Sequence, residues 1–120
     1  MIKYHKTTEN TIIAELTDEK FMISQVQDAL DLMANLGVFD CQSIIIHERN
    51  LNTDFFDLKT GLAGEILQKF SNYQVKLAIV GDFSKYKSKS LQDFIRESNR
   101  RDMIFFVDNL ESALLKLTNN

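Results

Sequence analysis

One short stretch near the middle of the chain gathers most of the residue types that could do chemistry: Asp54-Phe55-Phe56-Asp57-Leu58-Lys59-Thr60-Gly61-Leu62-Ala63-Gly64. Two carboxylates, a lysine and a hydroxyl stand beside a pair of aromatic rings, a mixture suited to recognising a protein surface. Asp54, Phe55, Asp57, Lys59 and Thr60 are therefore the expected contact residues for a protein partner. Thr60 is also the expected phosphorylation point, because a phosphate in the first turn of a helix gains from the helix N-terminus. The same acids suit capping, and Asp57 reads first as a helix cap. An exposed ring of the Phe55-Phe56 pair would mark a partner surface. Gly61 and Gly64 read as small residues that let a helix approach a neighbouring element closely.

A second set comprises His47, Glu48, Asp82 and Ser84. In open α/β sheets, ligands favour the loops at the carboxyl ends of parallel strands, and these residues fall there. They define the alternative to a binding module, which is a small-molecule site or an enzyme. A general base at His47 needs an oriented partner and a pocket. A metal at His47 needs further ligands, yet the other histidine, His5, falls on a different strand, and no His-x-x-x-His spacing exists. A structural or solvent-facing His47 is the plainer reading, and no metal or cofactor is expected. Cys41 is the single cysteine, which excludes an internal disulfide and a cysteine cage and leaves it as a small hydrophobe. The chain has no Gly-x-Ser-x-Gly elbow, no phosphate-loop lysine motif and no dinucleotide glycine fingerprint.

Lys85, Lys87, Lys89, Arg96, Arg100 and Arg101 concentrate positive charge, with Phe83 and Tyr86 close by. They suit an anionic ligand or nucleic acid, and equally a solvated loop and helix face. The net charge of −3 argues against a protein built to bind nucleic acid.

Periodicity supplies the elements that must position these groups. Residues 2–7 and 11–16 read as strands joined by a turn at Glu9-Asn10. Residues 24–36 read as a helix, opened by a Ser24/Gln27 capping box and closed at Gly37. The run 43–47, with three isoleucines, reads as a strand covered on both faces. A helix over 57–71 follows, then a strand over 75–80 and a polar loop over 84–90. A helix over 91–100 capped by Ser90 and Asp93, a strand over 103–107 and a short helix capped by Asp108 or Asn109 complete the chain. The order β-β-α-β-α-β-α-β-α implies one α/β domain over residues 1–120 with a mixed, mainly parallel sheet.

A chain of 120 residues with 44% hydrophobic and 26% charged residues can fold as one domain without staples. The apolar runs are far too short to span a membrane. The opening Met1-Ile2-Lys3-Tyr4-His5-Lys6 does not resemble a secretory signal, so the cytoplasm is the expected compartment. The exposed hairpin edge is the expected place for pairing with a second copy.

The element order and the run from Ile44 to Leu117 resemble the STAS fold of anti-sigma-factor antagonists. In that family the loop before the second helix carries a serine that a partner kinase phosphorylates. The matching stretch is Asp57-Leu58-Lys59-Thr60-Gly61-Leu62, where the serine pair is missing and Thr60 is the nearest hydroxyl. A closer resemblance is to a bacterial family known as domain of unknown function 4180. It rests on Asp54 through Glu65 and on Lys76-Leu77-Ala78-Ile79-Val80-Gly81-Asp82-Phe83-Ser84-Lys85-Tyr86. That resemblance implies a bacterial origin and brings no activity with it. Together these readings lead to the expectation of a non-catalytic binding or regulatory module acting through residues 50–64.

Overall fold

All three isoleucines of Ser43–His47 are fully buried. Successive strand residues point to opposite faces, so such a strand must be covered on both sides. It is β3, the middle of a five-stranded sheet in the order β1-β2-β3-β4-β5. The others are β1 (Ile2–Lys6), β2 (Ile12–Leu16), β4 (Lys76–Val80) and β5 (Ile104–Val107). β1 runs antiparallel to β2, and β2 through β5 are parallel. The computed structural model describes residues 2–7, 11–36 and 43–118. The turn expected at Glu9-Asn10, the cap expected at Gly37, and Cys41 lie outside the described residues.

Among the described residues four α-helices flank the sheet: α1 (Val26–Asn35), α2 (Leu62–Asn72), α3 (Lys89–Arg100) and α4 (Leu110–Thr118). Every parallel connection steps one place in the same direction, and crossovers of one hand then put their helices on one face. Accordingly Ala29 and Leu32 of α1, Ile66 and Phe70 of α2, and Leu91 and Ile95 of α3 share a core with Ala14, Ile44, Ile46, Leu77, Ile79 and Phe106. α4 follows the last strand, completes no crossover, and takes the opposite face. There Ala113 and Leu117 pack with Ile13, Ile45, Ala78 and Phe105. The mixed, mainly parallel α/β sheet is the one the sequence leads one to expect.

Several element starts move. α1 begins at Val26, because the Asp28 carboxylate accepts from the backbone N–H of both Ser24 and Gln25, at 2.9 and 3.2 Å. A charged acceptor holds free amides better than the Gln27 amide could, and Gln27 turns to Asp31 instead. α3 is capped by Ser88, whose Oγ accepts from the Leu91 N–H at 3.2 Å, rather than by Ser90. Asn109 caps α4, accepting from the Ser112 N–H at 2.7 Å. α2 does not begin at Asp57. Gly61 adopts a φ of +76°, a left-handed conformation that glycine adopts without strain, and this separates a short turn at Leu58–Thr60 from the helix.

The outer edge of β5 is closed by α3. The Asn99 side chain accepts from the Phe106 N–H at 2.7 Å and donates to the Phe106 carbonyl at 3.3 Å. The Ser98 hydroxyl donates to the Ile104 carbonyl at 2.9 Å. A side-chain amide thereby takes the place of the next strand.

Candidate functional site

Within residues 50–64, two consecutive 3-10 turns, Thr53–Phe56 and Leu58–Thr60, lead into α2. Asn52 caps Thr53–Phe56 by accepting from the Asp54 N–H at 2.9 Å. Asp57 caps Leu58–Thr60 by accepting from the Lys59 N–H at 3.2 Å. The Thr60 hydroxyl lies 2.9 Å from the carbonyls of both Asp54 and Asp57, sharing its one proton between them, and accepts from the Leu62 N–H at 3.2 Å. One hydroxyl therefore ties both turns to the start of α2. The side chains of Asp54, Asp57, Lys59 and Thr60 face solvent.

Phe55 does not belong with them. It is 1% exposed, and its ring meets Phe56 edge-on with centroids 5.1 Å apart. Phe56 is also buried, so neither ring of the pair is available to a partner. Short turns let both rings reach the core while the polar side chains between and beyond them stay outside. Gly64 has no packing role: a Cβ there would meet nothing within 4 Å. It opens instead onto a groove of about 300 Å³ between α2 and α3, floored by Leu67, Phe94, Met103 and Ile104.

The carboxyl ends of β3 and β4 meet around Glu48. Its carboxylate accepts from the Tyr86 hydroxyl, from the Lys85 ammonium at 2.7 Å, and from the Asp82 N–H at 3.3 Å. The Tyr86 ring stacks on Phe56 with centroids 4.8 Å apart, and Lys85 stands over the same tyrosine. Burial, together with the Glu48 carboxylate, pushes the Tyr86 phenol well above its ordinary value, which keeps it a donor. Asp82 caps its own turn, accepting from the Ser84 N–H at 3.2 Å and the Ser84 hydroxyl at 2.6 Å. Those two bonds hold the Asp82 carboxyl below its usual range. The structure thus gathers Glu48, Tyr86 and Lys85, with Asp82 and Ser84 alongside, and it leaves His47 elsewhere.

His47 turns to the sheet face that carries α4. Its Nε2 lies 2.8 Å from Glu15 Oε2, and His5 Nε2 lies 2.9 Å from Glu15 Oε1. Glu15 is 6% exposed. Burial raises its pKa, and the hydrogen bonds from His5 and His47 outweigh that and hold the carboxyl below its ordinary value. Among the described residues no group of three or more His, Cys, Asp and Glu side chains is arranged to hold a metal ion.

The basic stretch is largely matched on α3 itself. Asp93 takes Lys89 and Arg96, each at 2.8 Å, and these bonds hold its carboxyl low. Arg100 and Arg101 reach toward Glu97 at 3.9 and 3.8 Å.

Fold and sites together define a single-sheet α/β domain with a capped-turn loop before its second helix and a carboxylate cluster at its strand ends. The chain belongs to the family described as Domain of unknown function (DUF4180), whose model matches residues 8–117. No curated protein and no solved structure matches it. No helix among the described residues is long and apolar enough to cross a membrane.

Proposed function

We propose that the chain is a non-catalytic binding module that regulates a protein partner through the exposed side of residues 50–64. The observation that carries this reading is the Thr60 knot. Asp54, Asp57 and Lys59 are held outward on turns that are hydrogen-bonded to one another and anchored by buried rings. A surface ordered before contact loses little conformational freedom on binding, which favours affinity. Glu65 is exposed on the next turn, so the surface is acid-rich and suits a basic partner. The STAS-like pattern supports the same location. Thr60 is its modification point: a phosphate there would take the hydroxyl from both carbonyls and set negative charge against Asp54 and Asp57, loosening the turns. The lone cysteine supports a reducing, cytoplasmic setting.

Capture of partners from the source cells tests this reading. The combined variant Asp54→Ala, Asp57→Ala, Lys59→Ala is expected to lose a partner that the wild-type protein retains. Equal retention of every partner by the variant would remove the assignment.

The Glu48, Tyr86 and Lys85 cluster favours a second reading, a polar small-molecule site at the strand ends. A thermal shift from a metabolite collection that vanishes in Glu48→Gln would favour it over the first.

A further inference from the structure

The three helices on one face of the sheet are unevenly spaced. α1 and α2 pack on each other, whereas α3 makes its close approach to β5, where Ser98 and Asn99 bond the strand margin. The gap left between α2 and α3 is the groove of about 300 Å³ that opens beside Gly64. We propose that this groove is a binding site for a small apolar α-amino acid, with Leu67, Phe94, Met103 and Ile104 receiving its side chain, Glu97 its ammonium and Arg101 its carboxylate.

The floor supplies the apolar half of the site. Leu67 and Ile104 are buried, while Phe94 and Met103 are only partly buried although both are large and apolar. The Phe94 ring is held against the core by Phe106, with centroids 6.3 Å apart and planes nearly perpendicular. An aromatic ring and a thioether in one groove suit another flat apolar group. Gly64 keeps the α2 wall low. Its φ is not left-handed, and a Cβ there would meet nothing within 4 Å. Neither conformation nor packing calls for glycine, and alanine is the better helix former. Close approach of a ligand is the use that remains for the missing side chain.

The rim supplies the polar half. Glu97 and Arg101 line the same groove one helical turn apart. Their closest approach is 3.8 Å, and Arg100 stands 3.9 Å from the other Glu97 oxygen, both too long for a hydrogen bond. Among the described residues neither the Glu97 carboxylate nor the Arg101 guanidinium has a hydrogen bond. A loose pair of opposite charges therefore borders an apolar floor. An α-amino acid carries an ammonium and a carboxylate on one carbon, with its side chain on the same atom, and so complements all three parts. Its carboxylate takes the guanidinium fork and its ammonium takes Glu97, and charge-assisted bonds of this kind are the stronger class. A molecule with only one of the two charges would leave the other rim residue unmatched.

Amide NMR of the full chain tests this, with L-phenylalanine as the probe. Shifts are expected to centre on Gly64, Leu67 and Met103, with a Kd of about 1 mM for a molecule of this size. Phenylpropanoate lacks the ammonium and phenylethylamine lacks the carboxylate, and each is expected to bind about tenfold more weakly. Glu97→Gln should remove the advantage of L-phenylalanine over phenylpropanoate, and Arg101→Gln its advantage over phenylethylamine. Gly64→Leu, which fills the groove, should lose all three probes. Absence of shifts at Gly64 and Met103, equal affinity for the three probes, or undiminished binding by Gly64→Leu would overturn the proposal. Should Gly64→Leu not fold, the comparison of the three probes on the wild-type protein decides alone.

Discussion

Glu48 and Gly81 share one corner of the fold: a Cβ added to Gly81 would stand 2.6 Å from the Cβ of Glu48 and 2.7 Å from its Oε1. The clash falls close to the Glu48 backbone, so rotating the end of that side chain cannot relieve it. Gly81→Ala is expected to cost about 1–3 kcal/mol, as overpacking does. Glu48→Ala leaves its own Cβ in place but removes the carboxylate, so the double variant should recover part of the loss. Urea unfolding of the two single variants and the double variant checks this, and additive costs would mean the positions are not coupled.

Tyr86 should resist alkaline titration. The chain has three tyrosines, and Tyr4 and Tyr73 are 56% and 61% exposed. Because folding raises the Tyr86 pKa, its contribution to stability is full below the ordinary phenol value near 10 and is lost as pH rises beyond it. Ultraviolet titration is expected to show a late-titrating phenol. The late one should vanish in Tyr86→Phe, which costs about 1 kcal/mol at neutral pH.

Glu15 sets an acid limit. Its folded pKa lies below the ordinary 4.5, so its stabilising contribution is present above that value and disappears as pH falls through the lower folded value. Glu15→Gln is expected to cost about 1–3 kcal/mol at neutral pH, since a partly buried donor loses its acceptor. The gap between variant and wild type should narrow below about pH 4. Denaturation midpoints across that range measure it, and a gap independent of pH would contradict the assignment.

Asn50 is the costliest polar residue to remove. It is fully buried, accepts from the His47 N–H at 3.0 Å, and donates to the carbonyls of Asp18 and Phe21, each at 3.0 Å. Asn50→Ala removes the partner of the His47 N–H and of the Phe21 carbonyl and one of the two partners of the Asp18 carbonyl, and is expected to lose about 3 kcal/mol. Asn50→Asp keeps the shape and the accepting oxygen but gives up both donated bonds, so chemical denaturation should show it nearly as damaging.

The fold was legible where burial dictated composition. Ile44-Ile45-Ile46 and Leu77-Ala78-Ile79 have to be covered on both faces, and that alone implies parallel strands between helices. The start of α2 was less legible, because apolar spacing continues through Leu58 and Leu62 while the break at Gly61 depends on a single dihedral. For the candidate site, Asp54, Asp57 and Thr60 could be singled out by type. Their arrangement could not, since Thr60 bonds backbone carbonyls, which every residue carries. Phe55 was misjudged because a 3-10 turn, unlike an extended loop, turns adjacent rings inward together. The unit of His5, Glu15 and His47 needed the register of two strand pairings, and the partnership of Glu48 with Tyr86 spans 38 positions of chain. Neither leaves a local mark in the sequence.

Asn99 bears on how copies of this protein could assemble. A sheet with two bare margins can add neighbours on both sides without end, which is the geometry of a fibre. Here one margin is already occupied by a side chain of the same molecule. Strand-to-strand growth is left a single direction, and two molecules meeting along it use up the remaining margin of each. Any association through the sheet therefore stops at a pair.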